Sequence, residues 1–561
     1  MDSLGTAINL MNRNCYFGSI DLKDAFFSIS VRESDRKFLR FTWNGELYQF
    51  TCLAQGLSTC PRVFTKIMKC VFSELRKKGH CNSAYIDDSL LIGQSYEDCI
   101  NNINDTVTLF DKLGLTIHPN KSVFVPTQEI QHLGFVLNSR EMSVRLTQEK
   151  SQKFKELCKQ ILRKEYVSIR EFSELIGKMV ASEYGVPYAK LFHKRLHITK
   201  NEQLRKQRGN YDAKFGLNEM CKQDINWWID NIEICKKYVC IGNPEIIIRS
   251  DASLTGWGGV YESQSTGGRW SAEENSYHIN QLELLAVYLT LKSFCSNASC
   301  VHIHAQIDNT TAVTYINKMG GMKENLNDLT REILLWCINR NIWLTAAHLP
   351  GSENCEADYE SRNSNDDTEW ELDSEVYIKI EQLFGSPDID LFASRLNYKV
   401  TPYCSYRPDP NAKLVDAFTF NWGTNFNYIF PPFSILGAVL RKIVQDQADA
   451  IVIAPLWPTQ PWFPKILQLL VDCPRILPVK KSLVTLSFNK TKVHPLLNKL
   501  HLTAFKLSGD HLKVKVYQNQ LSTLSCIHGE TPQNNNIGVI SKSGCVFVLK
   551  NMLIPCHQLS I

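Results

Sequence analysis

Seven carboxylates in this chain of 561 residues stand where they could do chemistry, and they fall into two groups. The first is Asp21, in Ser19-Ile20-Asp21-Leu22-Lys23-Asp24-Ala25-Phe26-Phe27, with the pair in Ala84-Tyr85-Ile86-Asp87-Asp88-Ser89-Leu90-Leu91-Ile92. The second is Asp251, Glu283, Asp308 and Asp358. Adjacent carboxylates repel, and each raises the other's pKa unless a cation is present. Three of them on strand ends can hold two Mg²⁺ about 4 Å apart, which activates an attacking oxygen and neutralises charge on phosphates. Phosphoryl transfer needs little beyond such positioning and electrostatics. Taken singly, each acid reads equally well as a solvated turn, strand-end or helix-terminal residue.

The elements that must position these acids are visible as patterns. Residues 19–27 read as a strand ending in a turn into a helix, with Asp21 near the strand end. Two β-prone runs flank Asp87-Asp88, the pattern of a hairpin with charge at its tip. Residues 245–253 are an apolar strand delivering Asp251, and residues 256–261 are a turn into a second strand. Ile279, Leu282, Ala286 and Leu289 recur at helical spacing, so Glu283 borders a buried stripe. Residues 301–308 form another strand with a terminal acid, and residues 354–358 open a helix with Asp358 in its first turns. Thr147 is a candidate cap for a helix through Phe154, Leu157 and Ile161.

Here the first group resembles a known family, the reverse transcriptases. Asp21-Leu22-Lys23-Asp24-Ala25-Phe26 resembles the first palm motif, and Leu53-Ala54-Gln55-Gly56-Leu57-Ser58 with Thr59-Cys60-Pro61-Arg62-Val63-Phe64 the second. Tyr85-Ile86-Asp87-Asp88 matches the YxDD box, Gly114-Leu115-Thr116-Ile117-His118-Pro119-Asn120-Lys121 resembles the fourth motif, and His132-Leu133-Gly134-Phe135 the fifth. The resemblance implies that Asp21, Asp87 and Asp88 bind metal. It implies that Phe26 excludes a ribose 2′-OH, that Gln55 and Gly56 line the incoming deoxynucleoside triphosphate, and that Lys121 sits near the triphosphate. His132 to Phe135 would grip the primer end. The second group, in the order Asp, Glu, Asp, Asp, resembles the ribonuclease H active site, which implies two-metal hydrolysis of RNA in an RNA–DNA hybrid. Mg²⁺, two per site, is the implied cofactor, with Mn²⁺ as the alternative ion. RNA template, DNA primer and RNA–DNA hybrid are the implied partners.

Composition fits this class. Hydrophobic residues make up 44% and charged residues 21%, which excludes wholesale disorder. At roughly 100–200 residues per domain, three to five domains are expected. Residues 141–240 carry 20 Lys and Arg against 13 Asp and Glu, whereas residues 245–362 carry 8 against 14. A basic segment suits phosphate and an acidic one suits metal, although either alone is an ordinary solvated face. None of the 19 cysteines forms a CxxC pair; the nearest spacings, Cys235/Cys240 and Cys295/Cys300, support no zinc site. Buried free thiols and a reducing compartment are expected. No signal peptide and no run of about 18 apolar residues is present, so an intracellular protein of cytoplasm or nucleus, with no membrane span, is expected.

The expected architecture is multidomain α/β and α+β. Residues 1–138 are expected to form a reverse-transcriptase palm (α+β, split βαβ), 139–243 a helical thumb and connection, and 244–363 a ribonuclease H-like α/β domain. Residues 364–376 read as a linker. Residues 377–480 form a further α/β region carrying Asp388-Ile389-Asp390-Leu391-Phe392-Ala393-Ser394, Phe430-Pro431-Pro432-Phe433 and Trp457-Pro458-Thr459-Gln460-Pro461-Trp462-Phe463. It resembles the segment after ribonuclease H in DIRS-like (tyrosine-recombinase) retrotransposons, itself similar to adenine methyltransferases. Those enzymes need Asp or Asn where Phe430 stands, so methyl transfer is not expected. Residues 481–561, with nine Lys against Asp510 and Glu530, read as a basic tail without periodicity. The family places basic fingers ahead of the palm, yet Asp21 comes 20 residues in, so an N-terminally truncated polyprotein is expected. Two functions follow: an RNA-directed DNA polymerase with ribonuclease H activity, or a catalytically silent remnant that only binds nucleic acid.

Overall fold

In a computed structural model of the chain, the apolar runs on either side of Asp87-Asp88 close into a hairpin, Cys81–Tyr85 against Asp88–Gly93. The structure describes residues 2–239, 242–363, 369–496, 500–523 and 545–560. The hairpin tip is tight, with Ile86 at a φ of 55°, a left-handed conformation that is rare for a β-branched residue. Asp88–Gly93 pairs antiparallel with Tyr16–Asp21, which pairs on its other side with Val123–Thr127. Helices Cys60–Lys77 and Tyr96–Lys112 bury Phe64, Met68, Phe72, Ile103 and Phe110 against Ile20, Leu22 and Leu91 of the sheet. The order is β-α-β-β-α-β, the split βαβ arrangement. Ser95 starts the second helix by accepting the Asp98 amide at 3.1 Å, which satisfies an end group the helix cannot satisfy itself.

A second sheet follows, built from Glu129–His132, Phe135–Asn138, Ser143–Leu146 and Lys237–Tyr238. Residues 139–243 are thus not wholly helical. Ser143–Leu146 is too short for a helix and is held as a strand by pairing on both sides, with Phe135–Asn138 and with Lys237–Tyr238. The remainder is helical: Gln148–Leu162, capped by Thr147, then Ile169–Ala181, Leu191–Lys206 and Glu219–Asn231. Trp228 is fully buried among them, edge-on to Phe154 at 5.4 Å, and donates its indole N–H to the Phe192 carbonyl at 3.2 Å.

The chain divides into two compact units, Met1–Asn243 with Lys318–Asn327, and Pro244–Asn317 with Asp328–Ile561. The second unit opens with a five-stranded sheet in the order Gln264–Arg269, Gly256–Tyr261, Ile246–Ala252, His302–Ile307, Trp343–His348. The first three strands are antiparallel neighbours and the last two run parallel to Ile246–Ala252. Helix Ile279–Cys295 buries Leu282, Glu283 and Ala286 against this sheet, and helix Cys355–Arg362 lies over Gly256–Tyr261.

A larger sheet follows. Ile389–Asp390, Phe426–Ile429 and Asp449–Pro455 run parallel, and Leu502–Ser508 pairs antiparallel with the last over seven residues. Two expectations are corrected here. Residues 370–376 are not linker: Trp370–Leu372 is a strand paired with Val484–Leu486, and helix Ser374–Phe384 follows. Residues 364–368 lie outside the described residues. The region from 481 onward is not a separate tail, because Leu502–Ser508 is an inner strand of the sheet. Six of its seven residues are buried, so it lacks the alternation that marks a half-exposed strand. The described cysteines are free thiols, mostly buried, with Cys70, Cys300 and Cys355 exposed; Cys240 lies outside the described residues. Among the described residues, no helix is long and apolar enough to cross a membrane.

Gly258 sits where helix Cys355–Arg362 crosses its strand. A Cβ there would stand 2.1 Å from the Ala357 carbonyl oxygen and 2.8 Å from the Ser361 nitrogen, both backbone atoms. Gly258→Ala should lower the unfolding free energy of this unit by on the order of 3 kcal/mol. Gly177→Ala, on the exposed side of helix Ile169–Ala181 with open space around it, should raise the stability of its unit by about 0.5–1 kcal/mol. Thermal unfolding of the two variants checks both signs, and a Gly258→Ala protein as stable as wild type contradicts the packing account.

Candidate active sites

Strand pairing brings the first acids together. Asp21 ends its strand directly opposite Asp88, the first residue of the neighbouring strand. The Leu22 amide donates to the Asp87 carbonyl at 3.0 Å, tying the hairpin tip to the residue after Asp21. The segment with Lys121 is latched to the same point. The His118 amide donates to the Asp21 carbonyl at 2.8 Å, and the Asp21 amide donates to Ser122 Oγ at 3.0 Å. Burial raises the Asp21 pKa, Lys121 opposes that rise, and Asp87 and Asp88 add to it. The His132 ring, almost fully buried, stands 3.3 Å from the Asp88 carboxylate. Among the described residues, the oxygens of Asp21, Asp87 and Asp88 do not form a group within 4.8 Å.

The other residues expected at this site are placed less tightly. Phe26 is half-buried in a short 3-10 turn, edge-on to Phe64 at 5.6 Å. Lys121 is exposed and acts on Asp21 through its charge. Gln55 and Gly56 are exposed on the loop before helix Cys60–Lys77, and no hydrogen bond ties Gln55 to the acids among the described residues. Gly56 has a φ of 90°, a conformation for which glycine is the favoured residue. The fifth motif packs under Lys150, whose ammonium lies 4.0 Å from the centre of the Phe135 ring.

The second set converges. Carboxylate oxygens of Asp251, Glu283 and Asp308 all lie within 4.8 Å of one another. Asp251 ends the central strand, Asp308 follows the neighbouring parallel strand, and Glu283 projects from the helix packed across them. Glu283 is only 4% exposed, and its Oε2 has no hydrogen-bond partner. Burial first, then Asp251 and Asp308, push its pKa up to about 9. An orphaned buried oxygen between two further carboxylates is a donor set that fits a divalent cation, which would relieve both repulsion and desolvation. Asp358 is not drawn into this group. It is partly exposed in helix Cys355–Arg362, and its carboxylate accepts the Arg362 Nε–H at 2.7 Å.

Sequence reading missed three partners. Ser361 Oγ donates to Asp251 at 2.7 Å, fixing that carboxylate. Helical spacing holds the clue, since Ser361 follows Asp358 by three residues and shares its face. Fully buried Asn354 donates to the Ser250 carbonyl at 3.0 Å and anchors the loop before that helix. The His132–Asp88 contact joins two motifs 44 residues apart and leaves no local signal.

The first unit sets an acid-bearing antiparallel pair of strands over two helices. Residues 2–137 match the family of reverse transcriptases (RNA-dependent DNA polymerases), so this segment carries a reverse-transcriptase domain. The chain is 23% identical over 392 residues to the enzymatic polyprotein of figwort mosaic virus (strain DxS), covering 64% of this chain and 52% of that protein. It is 24% identical over 405 residues to the enzymatic polyprotein of cauliflower mosaic virus (strain CM-1841), covering 65% and 54%. A Pol polyprotein from transposon 412 of Drosophila melanogaster is 28% identical over 127 residues, covering 23% of this chain and 10% of that protein. The chain spans about half the length of the first two relatives. Among solved structures, a foamy viral protease-reverse transcriptase in complex with dsDNA aligns over 62% of this chain and 71% of that one, at 15% identity and a TM-score of 0.37.

The Glu283 environment has a measurable consequence. Its folded pKa lies above its unfolded one, so the native state holds the extra proton between about 4.5 and about 9. Its contribution to metal-free stability is therefore complete below about pH 4.5 and is lost as pH rises towards 9. Glu283→Gln should flatten that fall and raise stability at about pH 8 by on the order of 1–3 kcal/mol. Thermal unfolding in chelator across this range reads the slope, and parallel curves for wild type and variant contradict the assignment.

Proposed function

We propose that this chain is the RNA-directed DNA polymerase and ribonuclease H of a retrotransposon. The observation that carries the reading is the paired placement of Asp21 and Asp88 within the segment that matches reverse transcriptases. Asp21, Asp87 and Asp88 would hold Mg²⁺ at the polymerase site, and Asp251, Glu283 and Asp308, with Asp358 beside them, would hold it at the nuclease site. Bound there, the ions supply charge neutralisation and activation of the attacking oxygen.

The chain's own residues do the rest. The latch between Asp21 and residues 118–122 keeps Lys121 close to that carboxylate, where its ammonium can meet the triphosphate and protonate the leaving pyrophosphate. Phe26, braced by Phe64, would present the ring that clashes with a ribose 2′-OH. Gln55 and Gly56 would bound the deoxynucleotide, with glycine allowing close backbone approach. Lys150 over Phe135 brings a cation to the motif proposed to grip the primer end, where phosphate would meet it. At the nuclease site Ser361 orients Asp251, and burial of Glu283 excludes water from one side of the cluster. A template RNA, a DNA primer and their hybrid are the partners this reading requires. The DIRS-like subtype is proposed from the motifs of residues 388–394 and 430–433. Methyl transfer is not proposed, because the Phe430 side chain cannot accept a hydrogen bond from an amino group.

Two experiments test the two activities separately. Primer extension on an RNA template with Mg²⁺ and deoxynucleotides should proceed, and Asp87→Ala should slow it by on the order of 10²–10³. Identical blank traces for wild type and Asp87→Ala would sink the polymerase assignment and favour a silent remnant. A labelled RNA–DNA hybrid should be cut, and Asp251→Asn or Glu283→Gln should each slow cutting by a similar factor, on the order of 10² or more. Undiminished cleavage in both variants would remove these residues from the nuclease site.

A further inference from the structure

The five-stranded sheet of the second unit has two faces. Gly259 turns towards Thr290 of helix Ile279–Cys295 on one of them, and Gly258 towards helix Cys355–Arg362 on the other. Cross-strand partners share a face. Gly258 pairs with Asp251; Ile247, on the same side of that strand as Asp251, pairs with His304. Strand His302–Ile307 alternates strictly, with Ile303, Ala305 and Ile307 buried and His302, His304 and Gln306 half-buried. The second face therefore carries two histidines at positions i and i+2, where the side chains of one strand lie next to each other.

Their rings converge on one atom. His302 Nε2 lies 2.8 Å and His304 Nδ1 2.9 Å from the hydroxyl oxygen of Thr345, on the neighbouring strand. Burial first, then His302, hold the His304 pKa below the ordinary imidazole value, which favours the neutral ring that a metal requires. A carboxylate stands alongside. Glu245 precedes Ile246, the partner of Ile303, and is therefore beside His302. Its Oε1 accepts the His302 amide at 3.4 Å, and the residue is exposed. Arg249, further along the same face, is neutralised by Glu356 at 2.7 Å.

We propose that His302 and His304 bind a transition-metal dication of the zinc and copper class, with Glu245 as the third ligand. Imidazole nitrogens at about 2.0–2.1 Å and a carboxylate oxygen at about 2.0–2.2 Å are among the ligands zinc takes. The two rings already point at a common centre, so the cation replaces the contact with Thr345 and no strand has to move. Among the described residues, a Glu245 oxygen and the two rings do not all lie within 4.8 Å of one another; the exposed side chain reaches them by rotation. Imidazole suits zinc and copper, whereas Mg²⁺ prefers oxygen and keeps its waters. The site is thus chemically distinct from the all-oxygen triad of Asp251, Glu283 and Asp308. Bound there, the ion ties the start of strand Ile246–Ala252 to strand His302–Ile307, the two strands that deliver Asp251 and Asp308. The inference is independent of the polymerase and nuclease reading.

The test uses the full chain, with Zn²⁺ titrated calorimetrically in excess Mg²⁺ so that oxygen-only sites are not counted. Wild type should show a Zn²⁺ site that His302→Gln and His304→Gln each weaken by at least roughly tenfold, the loss that follows from removing even an outer partner of a ligand. The double variant should lack the site. Glu245→Gln, at an exposed position outside the core, should weaken it in the same direction without disturbing the fold. Cu²⁺ below one equivalent serves as the spectroscopic probe. Its electron paramagnetic resonance spectrum should show coupling to two imidazole nitrogens in wild type and lose that coupling in the double variant. A Zn²⁺ isotherm and a Cu²⁺ spectrum that are the same in wild type and double variant would overturn the proposal and leave the cluster as hydrogen bonding alone.

Discussion

Like charges held at close range govern this molecule. A carboxylate near another carboxylate, partly out of water, is unstable unless the scaffold forces it there. The two acid clusters meet that constraint in different ways. At the first, the acids stay at the solvent margin, and backbone hydrogen bonds at Asp21 and Asp87 fix the strand ends. At the second, a helix and a sheet close over the group, and Glu283 is carried into the interior with an oxygen unsatisfied. Buried polar atoms are nearly always paired, so an orphan in this position is a feature the rest of the fold must overcome by packing.

That packing explains the sheet around the second cluster. Glycines 256, 258 and 267 let helix Cys355–Arg362 and neighbouring strands approach to backbone distance, and Gly259 makes room for the Thr290 side chain. Close approach keeps Ser361 within reach of Asp251, and it keeps Glu283 pressed between two strand ends.

Much of this was legible in the sequence because its signals are local. The charged hairpin at Asp87-Asp88 follows from two β-prone runs and their spacing, and Glu283 follows from the helical stripe beside it. How deep Glu283 lies was not legible, since the sheet beneath it is assembled from strands nearly a hundred residues apart. The same cause hid the strand Leu502–Ser508 and the pairing of Trp370–Leu372 with Val484–Leu486. A strand buried on both faces loses its alternation, and a partner more than a hundred residues away leaves no trace in the local pattern. Phe26 lies in the turn that follows the strand of Asp21, but its motif, like that of Gln55 and Gly56, says nothing of how far these residues stand from the acids.

The fourth acid of the second set shows why burial and charge must be weighed together. Asp251 and Glu283 are held by burial, with Asp308 beside them, and moving them means moving a strand or a helix. Asp358 is held only by Arg362, one turn along the same short helix, with both side chains substantially exposed. An exposed pair of this kind contributes at most about 0.5 kcal/mol. Its carboxylate can therefore leave Arg362 at little cost and swing towards the other three, already coupled to Asp251 through charge. The set divides into a fixed triad and an adjustable fourth acid, and the division follows from which of the acids the hydrophobic core has enclosed.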